Sequence, residues 1–240
     1  MAQRLAHERR AISCGVPLPQ EQLSDLDIRS ALLRQLVTAS LDHPATVIVQ
    51  ELVLNRGAGR IDVAVLNGHL DGYEIKSERD SLGRLPGQIK VFGVAFDTMT
   101  LVVHPRHLAD ARRMVPRWWG IARAERNGHD VTIRVARNGR RNARVDPIAV
   151  AKLLWREELL EVLEAVGRAG VRRRLSRSAL AELLAASVKG GELAEIVRAR
   201  LKARTGWRPA YDASRGELGG HEGDVVTCGK RHPLGQVPRS

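Results

Sequence analysis

Apolar residues recur at Ile28, Leu32, Leu33, Leu36 and Val37, the three-and-four spacing of a single helical face. Ser24 followed by Asp27 has the spacing of a capping box, so a helix is predicted over residues 25–40. Residues 45–54, ATVIVQELVL, are rich in β-branched side chains and too short for an amphipathic helix, and the turn residues NRGAG follow; this stretch reads as a strand. Residues 60–66 then alternate Ile61, Val63 and Val65 against Asp62, Ala64 and Leu66, and residues 70–76 alternate Tyr73 and Ile75 against Gly72, Glu74 and Lys76. These are two strands of a hairpin turning near Asn67 and Gly68.

Beyond the hairpin, SERDSLGRLPGQIKVFGVAF predicts a loop and a second helix, and MTLVVH a buried strand. RWWGI reads as a connection and DVTIRVA as a further short strand. Asp146 and Pro147 open one strong helix through Ile148, Ala151, Trp155, Val162 and Val166. Two shorter helices are predicted over 178–188 and 192–205. The fold class expected is α/β, with an α-β-β-β-α-β core over residues 25–124 and a mostly helical C-terminal extension over 125–205. Residues 1–24 read as a poorly ordered segment. Residues 206–240, where Gly, Pro and His accumulate without periodicity, read as a disordered tail.

Charge adds a partner to this picture. Lys and Arg number 39 against 27 Asp and Glu in 240 residues, a net charge of +12, which points to a polyanion. Residues 125–204 hold 18 basic against 10 acidic residues, so the helical half carries most of the surplus. Aromatics make up only 3%, and the core must therefore be built from Leu, Val, Ile and Ala. The two cysteines, Cys14 and Cys228, fall in the terminal segments and offer no metal-ligand spacing. With no apolar run long enough to span a bilayer and no signal-peptide pattern at the N-terminus, a cytoplasmic protein without a membrane partner is expected.

The hairpin register locates candidate chemistry. A two-residue loop mixes core and solvent faces. A three-residue loop, Asn67 to His69, sets Leu66 opposite Leu70, gathers Ile61, Val63, Val65, Tyr73 and Ile75 on one face, and brings Asp62 directly opposite Glu74. Like charges so placed repel by on the order of 3 kcal/mol at an effective dielectric near 20. Lys76, on the same face, offsets part of this, but an ammonium does not coordinate both carboxylates as a hard divalent cation does. The pattern is a candidate Mg²⁺ site, with Mn²⁺ as a substitute, and Lys76 placed to orient a water or stabilise developing charge. Glu51 is a further carboxylate on the first strand. Asp80, Arg84 and Gln88 follow at four-residue spacing, one helical face if the second helix begins that early, with Arg84 suited to a phosphate.

Asp62, then Glu74-Ile75-Lys76, on a hairpin that follows a helix and precedes a helix bearing Gln88, resembles the PD-(D/E)XK nuclease superfamily. Within it, DIRSALL, GRIDVAVLNGHLDGYEIKSERDSLGRLPGQ, WWGI and LLWREE look like a bacterial family known only by a locus tag, over residues 27–158. The resemblance implies a restriction-endonuclease-like core, Asp62, Glu74 and the Ile75 carbonyl as metal ligands, and Lys76 as the catalytic lysine. Ile61 stands where the superfamily label has proline. Gln88 is followed four residues later by Phe92, where RecB-like members have tyrosine.

Other features have plainer readings. His104 and His107 lack partner ligands and read as loop or helix-cap residues; Trp118 and Trp119 read as packing anchors. Arg172 and Arg173, in VRRRLSR, are candidate phosphate contacts, and the two last helices a candidate helix-turn-helix. The expected function is metal-dependent hydrolysis of phosphodiester bonds in DNA, with RNA as an alternative substrate and a homodimer as one arrangement for reaching both strands. The competing expectation is a non-catalytic DNA-binding or regulatory protein on an inherited nuclease-like scaffold.

Overall fold

The computed structural model describes residues 22–43, 45–54, 57–168, 170, 174–204 and 226–227. Cys14, Cys228 and nearly all of the two predicted terminal segments lie outside the described residues. The chain folds as α1 (Asp25–Ala39), β1 (Val47–Leu54), β2 (Gly59–Leu66), β3 (Leu70–Lys76), α2 (Leu85–Phe92), β4 (Thr98–Val103), α3 (Leu108–Met114), β5 (Gly120–Asn127) and β6 (Asp130–Arg137). Helices α4 (Pro147–Ala151), α5 (Arg156–Ala165), α6 (Arg177–Ser187) and α7 (Gly190–Ala203) follow, with a two-residue strand β7 (Val226–Thr227). The α-β-β-β-α-β order expected of the first half is present through β4.

Six strands form one mixed sheet in the order β6-β5-β4-β3-β2-β1, and β7 extends it beyond β1. β1, β2 and β3 pair antiparallel, β3, β4 and β5 parallel, and β6 antiparallel to β5. Two apolar layers sandwich the sheet. On one side α1, opened by the Ser24–Asp27 capping box, buries Ile28, Leu32, Leu33 and Val37 against Ile48, Val63, Val65, Ile75 and Val102. On the other, Leu85 and Phe92 of α2, Ala111 of α3 and the apolar faces of α4 to α7 share one continuous cluster with Leu66, Leu70, Leu101 and Val103. Gly72 lets β3 lie against that second layer: a Cβ there would stand 2.4 Å from Met99 Sδ and 3.0 Å from the Phe96 ring.

The hairpin register is the predicted one, Leu66 opposite Leu70 and Val63 opposite Tyr73. The Asp62–Glu74 pair expected from it is not formed, because pairing of β2 with β3 stops at Val63 and Tyr73, and the predicted faces need a correction as well. Ile61 belongs to the α2-side cluster, not to the α1-side cluster of Val63, Val65 and Ile75. β1 changes face at the same level, since Val47, Val49, Leu52 and Leu54 all join the α2 side. Between them sits Glu51 with φ of 54°, a left-handed conformation that costs a non-glycine residue about 1 kcal/mol or more. The alternation inferred from a strict two-residue period breaks where Glu51 and Asp62 face each other across β1 and β2.

Two further corrections concern helices and strands. α3 and β5 fall where only a connection was expected. The single helix predicted from residue 147 is two, because Lys152–Leu154 turn the chain and Trp155 is extended as the N-cap of α5. The carbonyls exposed by that break are taken by arginines from the last helices: Arg177 donates to Lys152 and Leu154, and Arg204 to Leu153 at 2.8 Å. Arg204 also grips the Glu158 carboxylate, with Nε at 2.6 Å, and stacks 4.2 Å from the Trp155 ring centroid. Among the described residues no helix is long and apolar enough to cross a membrane.

Because the Arg204 fork satisfies a carboxylate and a carbonyl at once in a buried position, Arg204→Met is expected to lower unfolding free energy by on the order of 3 kcal/mol. Arg204→Lys should recover little of it, since an ammonium lacks the planar fork. Urea titration followed by circular dichroism measures both; equal midpoints for parent and Arg204→Met would remove the clamp.

Candidate metal and phosphate site

The β2–β3 ladder opens after the Val63–Tyr73 pair. In the opening, the Asp62 carboxylate takes the place of a strand carbonyl: its Oδ2 accepts the Ile75 N–H at 2.7 Å. The Lys76 carbonyl accepts from His104 on the β4 side, so Ile75, one residue earlier, turns its N–H and carbonyl toward β2 and the same opening. Asp62 and the Ile75 backbone therefore share one gap in the sheet.

Glu74 and Lys76 project from β3 toward α2. Their side chains are 3% and 5% exposed and paired at 2.6 Å, Lys76 Nζ to Glu74 Oε1. Gln88, on α2, donates to the same Oε1 at 2.5 Å. This leaves Glu74 Oε2 and Gln88 Oε1 buried with no hydrogen-bond donor. An acceptor so stranded costs about 1–3 kcal/mol unless something fills the space. Burial first, and then the Asp62 charge, push the Glu74 carboxyl up to about 7, against the opposing pull of Lys76 and Gln88.

The sequence reading missed Arg29. From α1 it donates through Nη1 to the Asp62 carbonyl and through Nη2 to Asp62 Oδ1, both at 2.9 Å, while Nε and Nη2 reach Asp25 Oδ2 at 3.1 and 3.0 Å. Burial raises the Asp25 carboxyl above its usual value; the Asp62 and Asp25 charges, outweighing burial, raise the Arg29 guanidinium. The expectation that only a divalent cation relieves the Asp62–Glu74 repulsion is thereby corrected: Asp62 has Arg29 and Glu74 has Lys76. The Asp25 to Arg29 spacing of four on a helix was the signal available in the sequence.

Of the remaining predicted residues, Glu51 stands level with Asp62 on β1, and its Oε2 meets Arg60 Nη1 at 3.2 Å. Arg84 is exposed at the N-cap of α2. The helical face proposed for Asp80, Arg84 and Gln88 is not formed, because α2 starts at Leu85; Asp80 instead closes a turn, its Oδ2 accepting from Ser77 N–H at 2.7 Å and Ser77 Oγ at 2.6 Å. Arg172 and Arg173 lie outside the described residues. His104 caps the short helix Pro105–His107, its Nδ1 accepting from Arg106 N–H at 3.3 Å, and buried His107 meets the Ser77 carbonyl at 3.1 Å. Trp119 is fully buried with Trp118 against it.

A divalent cation fits this donor set in kind: one stranded carboxylate oxygen, a second carboxylate retaining lone pairs, and a backbone carbonyl, all hard oxygen ligands. Among the described residues no group of three or more His, Cys, Asp or Glu side chains forms a ready metal cage. The fit rests on Glu74 Oε2.

A sequence model of the family described as Bacteriophage P4 protein cII matches residues 19–207. Protein cII of Enterobacteria phage P4 is 30% identical over 184 residues, 77% of this chain and 69% of its own length. Among solved structures, a protein of unknown function from Silicibacter pomeroyi aligns with 64% of this chain and 100% of its own at 19% identity and a TM-score of 0.36.

Glu74 gives a pH signature in metal-free protein. Its folded-state pKa, about 7, lies above the ordinary 4.5, so the folded chain binds more protons between those values and stability falls as pH rises through them. In EDTA, unfolding free energy should drop by on the order of 2 kcal/mol from pH 4.5 to 8 relative to Glu74→Gln. Parallel pH profiles for the two proteins would rule this out.

Proposed function

The chain belongs to the bacteriophage P4 protein cII family, and within it we propose a metal-dependent nuclease on a PD-(D/E)XK-like core, hydrolysing phosphodiester bonds in DNA. One observation carries the reading: the buried, donor-free Glu74 Oε2, beside a sheet opening occupied by Asp62 and the Ile75 backbone. A stable core seldom strands a carboxylate oxygen without a use for it. A divalent cation, Mg²⁺ or Mn²⁺, held by Glu74, Asp62 and the Ile75 carbonyl would supply Lewis-acid polarisation of a phosphate oxygen and a lower pKa for bound water.

The chain's own residues divide the remaining work. Lys76, buried against Glu74, holds an ammonium where charge develops on the phosphate, in a setting where burial strengthens its effect. Gln88 fixes the Glu74 rotamer through Oε1 and leaves its own carbonyl oxygen to orient a water. Arg29 keeps Asp62 turned into the opening. Exposed Arg84 at the start of α2 supplies a fork for a neighbouring phosphate. Glu51, level with Asp62 on β1, pairs with Arg60 and adds a third carboxylate on that flank.

The second reading, a non-catalytic DNA-binding protein on this scaffold, is favoured by the Arg29–Asp62 bonds, which already neutralise one proposed ligand. Supercoiled plasmid incubated with Mg²⁺ or Mn²⁺ separates the two. Nicking is expected from the parent, reduced about 100-fold or more in Asp62→Asn and in Lys76→Met, and absent in EDTA. A parent that leaves plasmid and single-stranded RNA intact with both metals, or variants that cut like the parent, would defeat the nuclease reading.

A further inference from the structure

The strands β3, β4 and β5 run parallel, and the carboxylates sit at the C-terminal part of β3. At the other end of the sheet the chain collects arginines. Arg112 and Arg113 lie in the last turn of α3, Arg117 in the turn that enters β5, and Arg140 and Arg141 in the segment leaving β6; all five are exposed.

The segments carrying them are pinned together. Arg137 braces the turn from beneath, donating through Nε to the Trp119 carbonyl and through Nη2 to the Pro116 carbonyl, both at 2.9 Å. The Arg140 N–H donates to the Trp118 carbonyl at 2.7 Å, and Arg112 Nη2 reaches the Ala136 carbonyl at 3.4 Å. Gly139 packs so closely on β5 that a Cβ would stand 3.1 Å from the Gly120 nitrogen. Buried Asn142 ties the following residues down, donating to the Gly93 and Phe96 carbonyls at 2.8 and 3.0 Å. Backbone ordering is thus complete before any ligand arrives, which lowers the entropic cost of binding.

Acids do not neutralise this surface. Asp110 pairs with Arg113. Asp97 is engaged by the Leu70 N–H and faces Arg198. Between Arg112 and Arg144 the acidic residues are Glu125 and Asp130; Glu125 pairs with Arg123, and Asp130 starts β6 at its far end, seven residues or roughly 23 Å from Arg137. Burial, and then the Arg112 charge, lower the pKa of Arg137, consistent with guanidinium crowding here. Arg117, Arg140 and Arg141 form no ion pair with a carboxylate among the described residues.

We propose that Arg117, Arg140 and Arg141, with Arg112 beside them, form a docking surface for the phosphate backbone of duplex DNA, separate from the Glu74–Lys76 site. The proposal rests on the nuclease reading only in naming the ligand as that reaction's substrate. Guanidinium forks match phosphate oxygens and read no base, so the contact is independent of sequence. A protein partner calls for an apolar centre depleted of charge, whereas four exposed arginines gather here.

The test measures binding of full-length protein to a fluorescein-labelled 30-base-pair duplex in EDTA, as a function of salt. Replacing Arg117, Arg140 and Arg141 with Gln is expected to weaken binding tenfold or more at moderate salt and to lower the slope of log K against log salt by about 2–3. A control with Arg34, Arg168 and Lys189 changed to Gln removes the same charge elsewhere and should keep the parent slope, and thermal unfolding confirms that both variants fold. Parent-like affinity and slope in the Arg117, Arg140 and Arg141 variant, an equal loss in the control, or patch-dependent binding of polyglutamate in preference to duplex would each overturn the proposal. Binding is read in EDTA, where no cleavage occurs, so failed cleavage and failed docking give different results.

Discussion

Everything at the candidate site depends on one interruption of the sheet. An antiparallel ladder satisfies each inward N–H with a carbonyl across the way; past Val63 and Tyr73 that partner is missing, and the Asp62 carboxylate serves Ile75 instead. A side-chain acceptor in a backbone's place has two consequences. It fixes a negative charge between β2 and β3, and it marks the point where the pairing of the two strands ends. The face change in β1 and β2, with Glu51 held at positive φ, lies level with that interruption, so the distortion spans three neighbouring strands and is supported by packing on both sides.

Much of the frame was legible from the chain. The capping box, the hairpin with its three-residue loop and the apolar fourth strand each rest on local rules, and local rules sufficed for α1, β2 and β3. What stayed hidden has a common cause. Strict alternation put Ile61 with Val63, because nothing in GRIDVAVL announces a face change; that is set by the bend of two paired strands. The break between α4 and α5 was equally silent, since Lys152 to Trp155 continue a helical period. Only Arg177 and Arg204, more than twenty residues downstream, make the exposed carbonyls tolerable. α3 and β5 were passed over because the Arg-rich stretch from Arg112 to Arg126 is patterned weakly; its strand is held by parallel pairing to β4 and not by its own alternation.

Glu74, Lys76 and Gln88 meet through hydrogen bonds, while the electrostatics around them were read incompletely. Glu74, Lys76 and Gln88 were found because their spacing on β3 and α2 brings them together on the α2 side of the sheet, and Asp62 because it lies on β2 level with them. Arg29 was not, because a cation contributed by a helix 33 residues earlier in the chain leaves no mark in the hairpin itself. The omission changes the physics. Repulsion between two bare carboxylates is no longer the argument for a metal.

What replaces it is an argument from balance. Level across the sheet, Glu51 faces Arg60, Asp62 faces Arg29 and Glu74 faces Lys76, so each of the three has a basic partner, Arg29 being shared with Asp25. Such a row holds its shape with no added ion, which is the preorganisation that a catalytic or binding site needs. Equal pairing does not make the three positions equivalent. Asp62 spends its oxygens on a guanidinium and a backbone N–H. Glu74 instead receives both of its donors on Oε1 and none on Oε2, with burial raising the cost of its charge. Under the proposed metal-dependent reading, a cation would enter at Glu74, whose Oε2 accepts no hydrogen bond.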